Sequence, residues 1–187
     1  MGAYRMILLL LLSAPVLATA PVEPPHAYCV AATKAQVPPK VLYALALQES
    51  RAALPSGVKP WPWTLNIAGE PWRFTDRDKA CRALSLAVEV VDPKRIDAGL
   101  GQVNIGWNGS RFGSLCEALD PQKNLLVSAQ ILREHYESTG DWVAAAGRYH
   151  RPAGGEPAAR YRSEFKVHAA RVLRVSVNDV PTALGAL

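Results

Sequence analysis

The stretch KVLYALALQES, residues 40–50, predicts the central helix of the fold. Its apolar side chains are spread over almost every side of a helix, and a helix that is hydrophobic all round is normally buried. We therefore expect the carboxyl of Glu49, near the end of this helix, to be removed from water. The apolar side chains are those of Val41, Leu42, Ala44, Leu45, Ala46 and Leu47.

The apolar helix is expected to change the protonation of the Glu49 carboxyl. Burying a carboxylate is costly, and the usual response is a pKa above the ordinary range. A carboxylic acid that is still protonated near neutral pH can supply the proton that the leaving oxygen of a glycosidic bond requires. The alternative is a glutamate at a helix end that turns to solvent or caps its neighbours.

Further helices are predicted on both sides of this stretch. Asp120-Pro121 and Asp141 are N-terminal helix signals, and Thr75 with Asp78 forms a near capping box. The helices are expected at residues 28–36, 75–90, 121–139, 142–149 and 157–173.

Helical periodicity is absent between Arg51 and Phe74. Residues 63–67 and 72–74 predict a small β-hairpin, with Trp63 and Trp72 paired across it. The stretch GLGQVNIGWNG, residues 99–109, is expected to be a loop because of its glycines. With no internal repeat and no linker, the sequence predicts one α+β domain, mainly α, with a small β-hairpin insertion.

Residues 1–20 have the pattern of a signal peptide. Arg5 supplies a positive charge and residues 6–12 an apolar run, which small residues follow. This run is too short to span a bilayer as an anchor. We expect a periplasmic or secreted domain over residues 21–175, with no stable membrane anchor after cleavage, and a flexible tail over residues 176–187.

Composition and charge narrow the class of protein. Hydrophobic residues make up 49% and charged residues 20% of the 187 residues, which argues against extensive disorder. The formal net charge of +5 is scattered, and without a dense Lys/Arg run we expect no nucleic-acid partner. The cysteines and histidines have no metal-ligand spacing, so no metal or other cofactor is expected.

Four motifs follow one another along the chain: ALALQES at 44–50, GLGQVN at 99–104, AAGRYH at 145–150, and Tyr161. In order and approximate spacing they resemble the motifs of the soluble lytic transglycosylases, in the lysozyme-like superfamily. The resemblance covers about residues 28–165. The tryptophan-containing insertion and residues 96–100, which lead into the glycine-rich stretch, look like those of the family variants associated with conjugative elements and secretion systems.

This resemblance implies a lysozyme-like fold and a specific reaction. Such enzymes cleave the β-1,4 bond between N-acetylmuramic acid and N-acetylglucosamine in peptidoglycan, and they form a 1,6-anhydromuramoyl end. The implied partners are glycan strands and a type IV secretion or conjugation machine, and the protein would act as a monomer.

The resemblance also implies roles for individual residues. Glu49 matches the sole catalytic acid and base, and Ser50 the hydroxyl that holds the sugar or the glutamate in place. Gln102 and Asn104 match polar residues that face the glycan, since amides both donate and accept hydrogen bonds. Tyr149 and the late Tyr161 match aromatic residues beside the catalytic carboxyl. For Gln102 a loop-stabilising role, and for Tyr149 simple packing, are equally good interpretations.

Two positions depart from the family pattern. Gly101 stands where the family often has methionine, so an apolar floor of the cleft is missing or comes from elsewhere. His150 stands where asparagine is usual, and Arg151-Pro152 follow it. Both departures leave substrate preference open.

Other functional readings stay open at this point. A hydrolase would need a second carboxylate, for which Glu70 and Asp97 are the candidates. A wall-binding assembly factor would need no activity. Trp107 is a candidate for stacking on a sugar, whereas Trp142 is expected in the core.

The three cysteines allow one disulfide bond in an exported protein. Related exported transglycosylases often bridge the N-terminal helix to the region before the long helix. The resemblance thus implies a Cys29–Cys116 disulfide, with Cys81 as a buried free thiol.

Overall fold

Helix α2 (Pro39–Ser50) is the buried centre of the structure. In the computed structural model, which describes residues 22–180, the side chains of Val41 to Leu47 are all buried. The pattern of residues 40–50 predicted this helix correctly. The predicted leader, and residues 181–187 of the predicted tail, lie outside the described residues.

Helices dominate the described part of the chain. α2 packs mainly against α1 and α7, and α5 packs against α1 and α6. The remaining helices are α1 (His26–Ala35), α3 (Arg77–Val90), α4 (Ile105–Asn108), α5 (Pro121–Thr139), α6 (Trp142–His150) and α7 (Gly155–Leu173).

Local signals explain where α5 and α6 begin and end. The Asp120 carboxylate accepts hydrogen bonds from two backbone N–H groups of the first turn of α5, and the Asp141 carboxylate accepts one from Ala144 of α6. α5 ends at Gly140, whose positive φ of 65° suits a residue without a side chain. Both predicted N-caps are confirmed.

Two small antiparallel sheets lie between α2 and α5 in the chain. The first pairs β1 (Arg51–Leu54) with β2 (Gly57–Pro60), and the sequence did not predict it. The second has the strand order β4-β3-β5-β6. Its strands are β3 (Thr64–Ile67), β4 (Glu70–Arg73), β5 (Ile96–Ala98) and β6 (Val103–Asn104). The described residues thus form a mixed α+β structure that is mainly α, as predicted.

The buried residues form two apolar clusters. One surrounds α2 and includes Leu42 and Phe165, and the other joins the second sheet to α3 and includes Leu65 and Leu84. Tyr149, near the end of α6, packs against both clusters. The boundary between the clusters is where the candidate site forms.

Three details differ from the sequence-based predictions. Helix α3 is capped by Asp76, which accepts from the Lys79 N–H, and not by Thr75. Trp72 pairs with Leu65 across the hairpin, and Trp63 contacts Trp61 edge to face instead. The stretch 99–109 is not all loop, because it contains β6 and α4.

The predicted disulfide is wrong. Cys81 is bonded to Cys116, with 5.2 Å between their Cα atoms, and Cys29 is the free thiol. Cys81 lies on α3, which packs directly against the 3-10 turn Leu115–Leu119 that carries Cys116. This packing brings the two thiols together, and the spacing of the cysteines in the sequence does not predict this contact.

Between residues 22 and 180, no helix combines the length and the apolarity that a membrane crossing needs.

Candidate active site

A cleft of about 660 Å³ opens beside the C-terminal end of α2. Most of the residues that the sequence singles out line it, although they come from three distant parts of the chain. They are Glu49, Asp97, Gln102, Asn104, Trp107, Tyr149 and His150. Neither Ser50 nor Tyr161 is among the lining residues.

Glu49 lies in this cleft with a half-buried side chain. Burial raises the pKa of its carboxyl to about 8, and the nearby charge of Asp97 acts in the same direction. A hydrogen bond from the Tyr161 hydroxyl to Glu49 Oε1 acts against them. The raised pKa agrees with the expectation from the apolar helix, and it keeps the carboxyl protonated at neutral pH.

Ser50 is fully buried behind the cleft. Its hydroxyl donates to the Leu100 carbonyl at 2.7 Å and lies 3.1 Å from the Ala46 carbonyl. A sugar cannot reach it there, so of the two expected roles the structure favours holding the glutamate in place over contact with the sugar. Ser50 ties the helix end that carries Glu49 to the Gly loop, residues 99–102.

The Gly loop is held from two further sides. The Gly101 N–H donates to Asn124 Oδ1 at 2.8 Å, and the Tyr149 hydroxyl donates to the Gly101 carbonyl at 2.7 Å. The Asn124 amide also donates to the carbonyls of Ala98 and Ala118, at 2.9 and 2.8 Å. The buried amide of Asn124 and the partly buried hydroxyl of Tyr149 thus hold the loop against α5 and α6, and Ser50 holds it against α2.

Gly101 has no room for a side chain. A Cβ atom there would lie 2.0 Å from Ser128 Oγ and 2.7 Å from Ser128 Cβ. A methionine at this position, as the lytic transglycosylases that the motifs resemble often have, therefore does not fit this loop. Val103 and Ile131 are apolar residues of the cleft lining.

The amides of Gln102 and Asn104 already have partners within the protein. Gln102 Nε2 donates to the carbonyls of Gly99 and Thr64, at 2.9 and 3.1 Å, which is the loop-stabilising role. Asn104 Nδ2 donates to Asp97 Oδ1 at 2.8 Å, and its Oδ1 caps α4 by accepting from the Trp107 N–H. Contact of either amide with a glycan stays a prediction.

Of the two candidate second carboxylates, only Asp97 is in the cleft. Burial raises the pKa of Asp97, and the hydrogen bond from the Asn104 amide opposes this shift. Glu70 lies exposed on β4 and does not line the cleft. Asp97 is therefore the carboxylate that a hydrolase reading must use.

Two tyrosines flank the catalytic candidate. Burial is the main cause that raises the pKa of both Tyr149 and Tyr161, so both hydroxyls stay protonated and act as neutral donors. Tyr149 fixes the Gly loop, whereas Tyr161, from α7, contacts Glu49. The ring of Tyr161 is in turn covered by the ring of His150.

Trp107 and Trp142 differ in their exposure to solvent. Trp107 is 68% exposed at the cleft, with Lys94 Nζ 4.3 Å above its ring, so it has a face available for stacking. Trp142 is buried and stacks on Tyr136, as expected of a core residue.

Sequence reasoning missed Asn124, which holds the Gly loop from α5, and Ser128, which lies against Gly101 and donates to the Asn124 carbonyl at 2.7 Å. Both are fully buried polar residues, four positions apart on one side of a helix. Polar residues at helical spacing among apolar neighbours were the available signal.

No protein-family model, no curated protein and no solved structure matches this chain. Over residues 22–180, no group of three or more His, Cys, Asp or Glu side chains could hold a metal ion.

Proposed function

We propose that this protein is a lytic transglycosylase with a lysozyme-like fold, which cleaves the β-1,4 bond between N-acetylmuramic acid and N-acetylglucosamine. The observation that carries the proposal is the carboxyl of Glu49. It lies in an open cleft, burial raises its pKa to about 8, and the Tyr161 hydroxyl orients it. A carboxyl tuned in this way is a general acid at neutral pH.

In the first step, Glu49 protonates the glycosidic oxygen. The bond to the anomeric carbon breaks, and the sugar passes through an oxocarbenium-like transition state. Glu49 becomes a carboxylate next to this positive charge. The Tyr161 hydroxyl, which already donates to Glu49 Oε1, stabilises the carboxylate as it forms.

In the second step, the ionised Glu49 accepts the proton of the muramoyl C6 hydroxyl. The C6 oxygen attacks the anomeric carbon of the same sugar, which gives the 1,6-anhydro ring and restores the acid. Holding the hydroxyl close to the carbon makes it outcompete water. The reaction consumes no water and needs no second carboxylate.

A hydrolase is the alternative that one observation favours. Asp97 lies in the same cleft and its charge contributes to the raised pKa of Glu49. In that reaction, water replaces the C6 hydroxyl and Asp97 acts as the partner of Glu49. The two reactions differ in their products, so they can be separated directly.

The test is digestion of purified peptidoglycan by the wild type, Glu49→Gln and Glu70→Gln. Glu70→Gln is the matched control, because it removes an exposed carboxylate outside the cleft. We expect zymogram activity from the wild type and the control, with a loss of ~10²–10⁴-fold for Glu49→Gln. Mass spectrometry should detect anhydromuramoyl ends.

Each other result has a definite meaning. Reducing muramic ends that incorporate heavy-oxygen water would establish a hydrolase. No cleavage of several walls by the folded protein would favour the wall-binding assembly factor. Action in the periplasm, beside a conjugation or secretion machine, is part of this proposal and follows from the resemblance and the predicted leader.

A further inference from the structure

His150 stands where the family usually has asparagine, and the proposed reaction does not use it. It lines the cleft, and its ring lies parallel to the ring of Tyr161, with 4.7 Å between centroids and 9° between planes. The Tyr161 hydroxyl donates to Glu49. These contacts form a continuous chain from the surface of the cleft to the carboxyl.

We propose that His150 is a positioning residue, which holds Tyr161 on Glu49 by ring stacking and whose protonation is coupled to that of Glu49. The coupling concerns the two side chains alone. Its effect on catalysis rests on the proposed function.

The stack acts across a turn of the chain. His150 is the last residue of α6 and Tyr161 lies in α7, and the cap residue Gly154 and the first residue Gly155 of α7 both have positive φ. A parallel aromatic pair adds attraction beyond the burial of its area. His150 therefore fixes the plane of the Tyr161 ring, and with it the direction of the hydroxyl.

Burial and neighbouring charged side chains set the protonation of His150. Burial lowers the pKa of its imidazole, Glu164 on α7 opposes this, and Arg151 and Arg160 reinforce it. Glu49, on α2, is linked to the imidazole only through the ring and the hydroxyl of Tyr161. The ring is therefore neutral at neutral pH, and it gains its charge on acidification.

Protonation of His150 has two consequences in the cleft. A cation against the face of Tyr161 makes the phenol a stronger hydrogen-bond donor. The Tyr161 hydroxyl then stabilises the ionised form of Glu49, which lowers the basicity of the Glu49 carboxylate. The same cation opposes the positive charge that develops on the sugar. Activity should thus decline on the acid side, below the pKa of His150.

The test compares the wild type with His150→Phe, which keeps a ring but cannot titrate, and with His150→Ala, which removes the stack. His26→Phe is the control, since His26 is exposed at the start of α1 and lies outside the cleft. The carboxyl carbon signal of Glu49, assigned by its absence in Glu49→Gln, is followed by NMR against pH.

We expect a second inflection of the Glu49 signal at the pKa of His150, in the wild type and His26→Phe but not in His150→Phe. In kinetics, His150→Phe should lose the acid-side decline in activity that the wild type and His26→Phe both show. His150→Ala should lose ~2- to 10-fold in kcat with KM unchanged, the range that an aromatic pair supplies.

A Glu49 titration that is identical in the wild type and His150→Phe would overturn the proposal. If the wild type cleaves no glycan, the proposed function fails while the NMR titration still decides the coupling. If His150→Ala does not fold, His150→Phe decides it alone.

Discussion

The Ser50 hydroxyl donates a 2.7 Å hydrogen bond to the carbonyl of Leu100, fifty residues further along the chain. Ser50 directly follows Glu49, and Leu100 lies within the Gly loop. The bond therefore fixes the distance between the catalytic candidate and the opposite part of the cleft. It is fully buried, so neither group can exchange its partner for water.

Ser50→Ala should destabilise the fold and lower activity. The substitution leaves the buried Leu100 carbonyl without its donor, which costs ~1–3 kcal/mol. Urea unfolding measures the loss. Ser163→Ala is the matched control, because the Ser163 hydroxyl makes a backbone bond at an exposed position of α7 and should change the free energy of unfolding by less than ~0.5 kcal/mol. Equal effects of the two variants would contradict this role for Ser50.

Glu49 should make both activity and stability depend on pH. Its pKa is about 8 in the folded protein against an ordinary value of 4.5, so the folded state binds the proton more tightly between these values. The free energy of unfolding should therefore be highest below the lower value and fall as pH rises through the upper one. Activity should fall through the same upper value, because the acid is lost.

The Glu49→Gln variant isolates the contribution of the Glu49 carboxyl to the pH dependence of stability. Glutamine is neutral at every pH and can still accept from Tyr161. We expect the variant to gain stability relative to the wild type between about pH 5 and about pH 9, as measured by urea unfolding. A constant difference between the two proteins over that range would show that burial of Glu49 does not perturb its carboxyl.

Gly101→Ala should be costly, and the cost should depend on Ser128. The new Cβ would meet Ser128 Oγ and Cβ, and overpacking of this kind costs ~1–3 kcal/mol. Ser128→Gly removes both atoms and by itself costs about 1 kcal/mol or more, as a glycine within α5. In a double-mutant cycle by urea unfolding, the double variant should lose less than the sum of the two. Simple additivity would mean that the loop moves away from α5.

The Cys81–Cys116 disulfide should be a major source of stability. The two cysteines are 35 residues apart, and closing such a loop stabilises by about 4 kcal/mol in the chain-entropy model. Cys81→Ser with Cys116→Ser should lower the melting temperature strongly, whereas Cys29→Ser should change it little. Non-reducing peptide mapping checks the pairing, and a bridge to Cys29 would contradict the structure.

The sequence by itself determined the elements whose signals are local. The all-round apolar pattern of residues 40–50 predicted α2, and Asp120 and Asp141 marked the starts of α5 and α6. Such signals act within one or two helical turns, through caps and side-chain periodicity, so they can be read without knowing the rest of the fold. The raised pKa of Glu49 follows from the same helix.

Only the tertiary structure decided how distant residues meet. The Tyr161–Glu49 bond joins residues 112 positions apart, and the packing of α3 on the Leu115–Leu119 turn selected Cys81 as the partner of Cys116. Ser50 likewise turned inward to the Gly loop, because a buried carbonyl there needed a donor. These contacts depend on the packing of whole elements, which no short stretch of sequence encodes.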